Sequence, residues 1–413
     1  MDKNLPIFEV IDELTAKLAK TKRVVLTAPP GAGKSTVIPI SLNKNPAFSK
    51  GKIIVLEPRR LAVKQVASRM AQTLGEELGR TVGYRIRGEV KCGEKTKVEV
   101  VTEGILIRMI QEDQQLAGVS TIIFDEFHER SLNADLGLAF CLEIASVLRN
   151  DLKILVMSAT LEITAVSKLM QGAPIVSCEG KSFPVTPIWQ TKPVVQDQII
   201  GKLIIDVILE AISKNKGSIL VFLPGEGEII KLASTLINKV PDNCHVFPLY
   251  GRLGFKDQQK AIQPILAGRK IVLATNVAET SLTIEGIETV IDSGLSKRSI
   301  YDPNSGMARL VTQKISKAEA NQRMGRAGRL HPGICYKLWS KAQDGSFPEF
   351  SPLEIENSDL TPFALELALW GSNINQLALL TRPNEKALSE ANKVLQMLGA
   401  VNEQLQITKD GRL

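Results

Sequence analysis

The chain is poor in the residues that build metal and disulfide frameworks. Its five cysteines (Cys92, Cys141, Cys178, Cys244 and Cys335) are widely scattered, without a C-x-x-C pair, and its three histidines (His128, His245 and His331) are equally dispersed. Neither a zinc site nor a disulfide scaffold is therefore readable, and reduced, packed thiols in a cytoplasmic protein are expected. Nowhere do eighteen apolar residues run together, so no membrane span or membrane partner is expected. The first residues carry Asp2, Glu9 and Asp12 and no long apolar run, so no signal peptide is expected. Short-period repeats and low-complexity segments are also missing.

What the chain does have is bulk and a modest positive charge. Its 413 residues predict two to three domains, and its 44% hydrophobic content is ample for sizeable cores. The 51 basic and 44 acidic residues leave +7, which is compatible with a polyanionic partner without requiring one.

Short apolar runs recur along the chain, each ending in a polar or glycine-containing turn. The first series is Val24–Leu26, Ile53–Leu56, Val98–Val101, Ile122–Phe124 and Ile154–Met157. A second is Ile219–Phe222, Val246-Phe247, Ile271–Leu273 and Val290-Ile291. Runs without in/out alternation predict strands buried on both faces, as parallel sheets require. Helical stretches such as 60–74 and 131–149 lie between them, giving an α/β fold with two sheets in two lobes. The proline-rich stretch Ser182–Pro187 is the expected crossing point. From about residue 350 the pattern changes, with helices expected at Thr361–Trp370 and Ala387–Leu398, the second closed by Gly399.

The informative residues fall just after the strands, where open α/β sheets bind ligands. Ala28-Pro29-Pro30-Gly31-Ala32-Gly33-Lys34-Ser35-Thr36 follows a strand and opens a helix, the setting of a phosphate-binding loop. Glycines let backbone N–H groups approach phosphate oxygens, and the helix N-terminus adds a positive dipole. Lys34 is expected on the β- and γ-phosphates of ATP and Ser35 on Mg²⁺. Ala28 stands where the common pattern has glycine, and Pro39 should kink the following helix or limit its regularity. Asp125-Glu126-Phe127-His128 follows a later strand. Asp125 is expected to hold Mg²⁺, and Glu126, beside the metal, to orient and deprotonate the attacking water. His128 is a candidate coupling residue. In the second series, Gln322-Arg323-Met324-Gly325-Arg326-Ala327-Gly328-Arg329 gathers three arginines and a glutamine. On a helix Arg326 and Arg329 would share a face and could serve developing phosphate charge. The two intervening glycines predict a close approach to something.

With these stretches in order, the chain resembles the DEAH/DExH-box helicases of superfamily two, and among them the bacterial HrpB-type branch. Further stretches that carry the resemblance are Glu57-Pro58-Arg59-Arg60, Thr102-Glu103-Gly104, Glu129-Arg130-Ser131-Leu132, Ser158-Ala159-Thr160, Leu220–Gly225 and Ala274–Ser281. The resemblance implies two tandem RecA-like domains with parallel sheets at 1–185 and 186–350, then the start of a winged-helix domain at 351–413. It implies an ATP-dependent, Mg²⁺-using helicase core moving along single-stranded RNA, with a DNA translocase or a non-unwinding RNA clamp as alternatives. Protein partners are left open. Nucleotide contacts would come from Pro30, Gly31, Ala32, Gly33, Lys34, Ser35, Thr36, Asp125 and Thr280, with Ser281 nearby. Arg69 would cover one face of the base. Ile262 stands at the family's aromatic position on the other face, which predicts poor discrimination among nucleoside triphosphates. The catalytic set would be Lys34, Glu126, Gln322, Arg326 and Arg329. Arg59, Arg60, Thr102, Thr275 and Asn276 would follow the strand's backbone, and His128, Ser158 and Thr160 would couple hydrolysis to movement. Gly294–Thr312, turning at Asp302–Gly306, resembles the family's strand-separating β-hairpin.

Overall fold

The structure is a computed structural model that describes residues 5–159, 163–180, 183–279, 284–302, 305–329 and 331–412. Thr160, Ser182, Thr280, Ser281, Pro303 and Asn304, all named above, lie outside the described residues. By internal contacts the chain divides into two units. The first comprises Met1–Gly180, Tyr301–Ala308 and Leu353–Leu413, and the second Lys181–Ile300 and Arg309–Pro352.

In the first unit the apolar runs become strands of one sheet: β1 (Arg23–Thr27), β2 (Lys52–Glu57), β3 (Val82–Ile86), β4 (Glu89–Lys91), β5 (Val98–Thr102), β6 (Val119–Phe124), β7 (Lys153–Ser158) and β8 (Ile175–Ser177). Their order is β4-β3-β5-β2-β6-β7-β1-β8, and the pairs are parallel except β3–β4. Val24, Val25, Ile53 and Ile54 are fully buried, as strands covered on both faces must be. Helices Lys34–Lys44, Arg60–Leu74, Glu103–Glu112 and Leu132–Val147 follow β1, β2, β5 and β6. The register pairs Thr27 with Ser158, Glu57 with Thr102 and Leu56 with Phe124, so the carboxyl ends of five neighbouring strands lie along one edge. That edge builds the site.

The second unit holds β9 (Val185–Gln190), β10 (Ser218–Phe222), β11 (Cys244–Leu249), β12 (Arg269–Ala274) and β13 (Ile287–Asp292). A separate two-stranded ribbon follows, β14 (Leu295–Asp302) with β15 (Met307–Lys314), before β16 (Gly333–Ser340) rejoins the sheet. The sheet order is β11-β12-β10-β13-β16-β9, and its pairs are parallel. The ribbon matches the hairpin expected over Gly294–Thr312, and Gly306, with φ +63°, donates its N–H to Asp302 O at 2.9 Å in the turn.

The chain passes from the first unit to the second at 180–181, beside the expected proline-rich crossing point; beyond it Val185–Gln190 pairs with β16, and Pro187 is tolerated because β9 is an edge strand. Two other local features depart from the sequence pattern. The helix Lys34–Lys44 runs past Pro39 without a break. The carbonyl deprived of its partner there is that of Ser35, in the first turn. Strand β16 escaped the sequence pattern because Lys337 interrupts it. Lys337 is nonetheless buried, 3.1 Å from Asp344 and against the rings of Trp189 and Trp339.

The tail forms the expected helices, Thr361–Trp370 and Glu385–Met397, with Gly399 at φ +69° beyond the second. It shares the core of the first unit. Phe363, Leu367 and Leu377 pack in one cluster with Leu106 and Phe140. The Trp370 ring stacks on Phe140 at 4.6 Å and donates Nε1–H to Glu143 at 2.7 Å. Among the described residues no helix is long and apolar enough to cross a membrane.

Candidate active site

At the end of β1 the chain turns through Gly31 (φ +86°) and Gly33 (φ +92°), conformations an L side chain rarely adopts. Gly33 is also close-packed, since a Cβ there would lie 2.9 Å from Leu5 Cδ1. It precedes the helix Lys34–Lys44; Thr36 and Val37 N–H donate to Gly33 O at 3.3 and 2.9 Å, while the Lys34 and Ser35 N–H groups at the helix start are left for an anion entering the loop. Pro30 and Gly31 are exposed and Ser35 and Thr36 half-buried, whereas Ala32 is buried and supports the loop by accepting Ile7 N–H at 3.2 Å.

Lys34 is 3% exposed, with its ammonium 3.0 Å from Glu126 Oε1 and 3.3 Å from Asp125 Oδ1. Burial opposes its charge, but Asp125, Glu126 and Glu57 outweigh burial and raise it above the usual lysine range. Asp125 is anchored at both ends: its N–H donates to Leu56 O at 3.1 Å, and its Oδ1 accepts Glu126 N–H at 2.8 Å. Glu126 takes a left-handed backbone (φ 50°, ψ 33°), uncommon outside glycine and typical of strain held at functional sites. His128 stands 3.4 Å from Glu126 Oε2 through Nε2, while its Nδ1 accepts Ala159 N–H at 3.4 Å. The imidazole therefore joins the Glu126 carboxylate to the end of β7, where Ser158 is buried.

Glu57, the last residue of β2, has no role implied by the sequence motif that contains it, yet it is fully buried beside this group. Neither of its oxygens, nor Asp125 Oδ2, has a hydrogen-bond donor among the described residues. Burial first, then Asp125 and Glu126, push its carboxyl well above the usual carboxylate range. The available signal was positional: an acid closing an otherwise apolar strand in the same layer as Asp125. The Ser35 hydroxyl and the Asp125 carboxylate are hard oxygen donors of the kind Mg²⁺ takes, and the donor-poor Asp125 Oδ2 fits such a use.

The turn after Glu126 is tied down by long-range bonds. Arg130 (φ 50°) grips Asp135 through Nε at 3.0 Å and Nη2 at 2.9 Å, and also reaches Thr381. Ser131 caps the helix Leu132–Val147 and donates to Glu103 at 2.5 Å. Burial raises Glu103 to about 7, helped by Glu129, Glu354 and Asp135 and opposed by the Ser131 bond. Arg59 Nη2 meets Glu129 at 3.2 Å. Arg60 is exposed and donates to Arg87 O, Thr102 caps the helix Glu103–Glu112, and Arg69 is exposed on the helix Arg60–Leu74.

In the second unit the arginine-rich segment differs from expectation. Its helix, Lys317–Met324, ends before the glycines, and Arg326 and Arg329 lie in turns rather than on a helical face. Successive bonds from Arg326, Ala327 and Gly328 N–H to Arg323, Met324 and Gly325 O tighten that segment, which Gly325 begins. The close approach predicted from the glycines exists, but it is internal. A Cβ on Gly328 would lie 2.5 Å from Phe183 O and 2.6 Å from Val185 Cγ2. Arg323 is wholly buried, 2.9 Å from Asp292 and 3.2 Å from Glu279, over the Phe222 ring. Arg326 is also buried, with Nε donating to Glu279 O at 2.8 Å, while Gln322 and Arg329 are half-exposed. Thr275 accepts Val277 N–H and caps a short turn that leaves Asn276 exposed, and Ile262 is half-buried.

Two family models match the chain: "DEAD/DEAH box helicase" over residues 9–169 and "Helicase conserved C-terminal domain" over 201–331. The chain is 46% identical over 400 residues to the ATP-dependent RNA helicase HrpB of Escherichia coli strain K12, covering 96% of this chain and 49% of that protein. It is 34% identical over 426 residues to the human ATP-dependent RNA helicase DHX33, covering 99% and 60%. The crystal structure of Escherichia coli DEAH/RHA helicase HrpB superposes with a TM-score of 0.92 at 44% identity, over 99% of this chain and 52% of that one. The chain thus spans about half the length of HrpB.

Proposed function

Because the chain belongs to the DEAD/DEAH box helicases, in the DEAH/RHA group of HrpB type, we propose that it is the ATP-hydrolysing core of an RNA helicase that moves along single-stranded RNA. The observation that carries this is the group Lys34, Asp125, Glu126 and His128: a buried ammonium against two carboxylates, and an imidazole between Glu126 and the end of β7.

On this reading the loop Pro30–Thr36 takes the ATP phosphates, and Lys34 exchanges its carboxylate partners for phosphate oxygens. Ser35 and Asp125, with Glu126 beside them, would hold Mg²⁺, which when bound neutralises phosphate charge. Glu126 orients the attacking water and accepts its proton. His128 passes the change at Glu126 to the segment from Ser158 to Thr160. Gln322, Arg326 and Arg329 stabilise the phosphates in the closed state, with Thr280 beside the nucleotide and Arg69 against the base. Arg59, Arg60, Thr102, Thr275 and Asn276 hold the strand's phosphates, which fixes position without reading sequence. The reading keeps two RecA-like domains at 1–185 and 186–350 and takes 351–413, which packs with the first unit, as the start of a winged helix. The five free thiols fit a cytoplasmic setting.

The test is ATP hydrolysis with matched RNA and DNA strands, together with a tailed duplex to score unwinding. RNA-stimulated turnover that Glu126→Gln abolishes while ATP binding persists is expected. Turnover unchanged in Glu126→Gln, or stimulation by DNA alone, overturns the reading.

A further inference from the structure

The turn Glu126–Arg130 is held in a costly conformation, with left-handed backbone at both ends (φ 50° at Glu126 and at Arg130). Most of what holds it is buried. Phe127 is 2% exposed and meets Phe124 edge-on at 6.1 Å. The Arg130–Asp135 pair has side chains 4% and 2% exposed, and those of His128 and Glu126 are each 6% exposed. A more accessible tie joins Arg59 and Glu129, which are 24% and 19% exposed, with Nη2 3.2 Å from Oε2. Ion pairs with access to water are weak, and a guanidinium binds a phosphate diester at least as well as a carboxylate.

Arg59 closes the loop after β2 and caps the helix Arg60–Leu74. Glu129 lies three residues beyond Glu126 on the same short turn. The backbone reinforces this link, because Glu129 N–H donates to Glu126 O at 2.9 Å. A change at Glu129 therefore reaches the peptide of Glu126 through a single hydrogen bond.

We infer that the Arg59–Glu129 pair carries the coupling between strand binding and the hydrolytic carboxylate. A strand phosphate takes Arg59, Glu129 is displaced, and the turn that fixes Glu126 loses a solvent-accessible restraint. The inference rests on the strand-binding role proposed for Arg59. Since coupling free energy is reciprocal, nucleotide that reorders Glu126 must alter strand affinity by the same factor.

The test uses the full chain and reads no turnover. The Kd of a labelled oligouridine is measured by anisotropy with and without the Mg²⁺ complex of a non-hydrolysable ATP analogue, and the ratio of the two is the coupling. In Glu129→Gln the ratio should collapse toward one, a loss of about 5-fold or more, while binding without nucleotide stays equal or tightens. Glu129→Asp withdraws the carboxylate by one methylene and should give an intermediate ratio; it decides the matter if the Gln variant does not fold. A wild-type ratio in both variants overturns the inference, as does loss of oligouridine binding in Glu129→Gln without nucleotide, which would make Glu129 a support for Arg59. If the wild type binds no oligouridine, the strand-binding reading itself fails.

Discussion

The two ring nitrogens of His128 address two different strands: Nε2 lies 3.4 Å from Glu126 Oε2 beyond β6, and Nδ1 accepts the Ala159 N–H beyond β7 at the same distance. Because Nδ1 is an acceptor, the ring proton sits on Nε2 and points at Glu126. Replacing His128 with Ala should lower kcat on the order of 10²-fold, the scale of a lost acid–base positioning group, with the KM for ATP little changed. Steady-state ATP hydrolysis checks this; a raised KM at constant kcat would make His128 a binding residue instead.

Arg323 and Arg326 lie three residues apart and should respond differently. Arg323 is fully buried between Asp292 and Glu279, whose charges raise it above the usual arginine range against the opposing effect of burial. Arg323→Met leaves two buried carboxylates without their cation, a cost of about 3–5 kcal/mol, and should show as a lowered midpoint in denaturant. Arg326→Gln should keep the midpoint closer to wild type and lose ATP turnover.

Gly328 and Gly325 give a matched pair. At Gly328 an added methyl would collide with the Phe183 carbonyl, whereas at Gly325 its nearest neighbour would be Asn321 O at 3.4 Å. Gly328→Ala should destabilise by about 1–3 kcal/mol, the usual range for overpacking, and Gly325→Ala much less. Thermal melts of the two variants side by side decide it.

Glu103 makes stability depend on pH. Its carboxyl is raised to about 7 from an ordinary 4.5, chiefly by burial, so the folded state favours the protonated form. The associated stabilisation is complete below about pH 4.5 and is lost as pH rises through 7, amounting to about 3 kcal/mol at most. Glu103→Gln still accepts the Ser131 hydroxyl but does not ionise. Its melting temperature relative to wild type should therefore climb between pH 5 and pH 8; a constant difference across that range would remove Glu103 as the cause.

Much of this protein was legible in the amino-acid order because the signals are local. Runs such as Ile53–Leu56 have one stable home, a strand buried on both faces, and a turn through Gly31 and Gly33 before Lys34 places backbone amides at a helix start whatever the rest of the chain does. The helices Arg60–Leu74 and Thr361–Trp370 were bounded by similar local cues. What only the tertiary structure decided was which charges are partners. Arg323 reads like Arg326 along the chain, and Glu57 like any acid ending a strand. Arg59 and Glu129 are 70 residues apart, and Gly328 is small because of Phe183. An ionic or steric contact depends on distances of a few ångströms between residues remote in sequence, and those distances exist only once parallel register has laid the strand ends side by side.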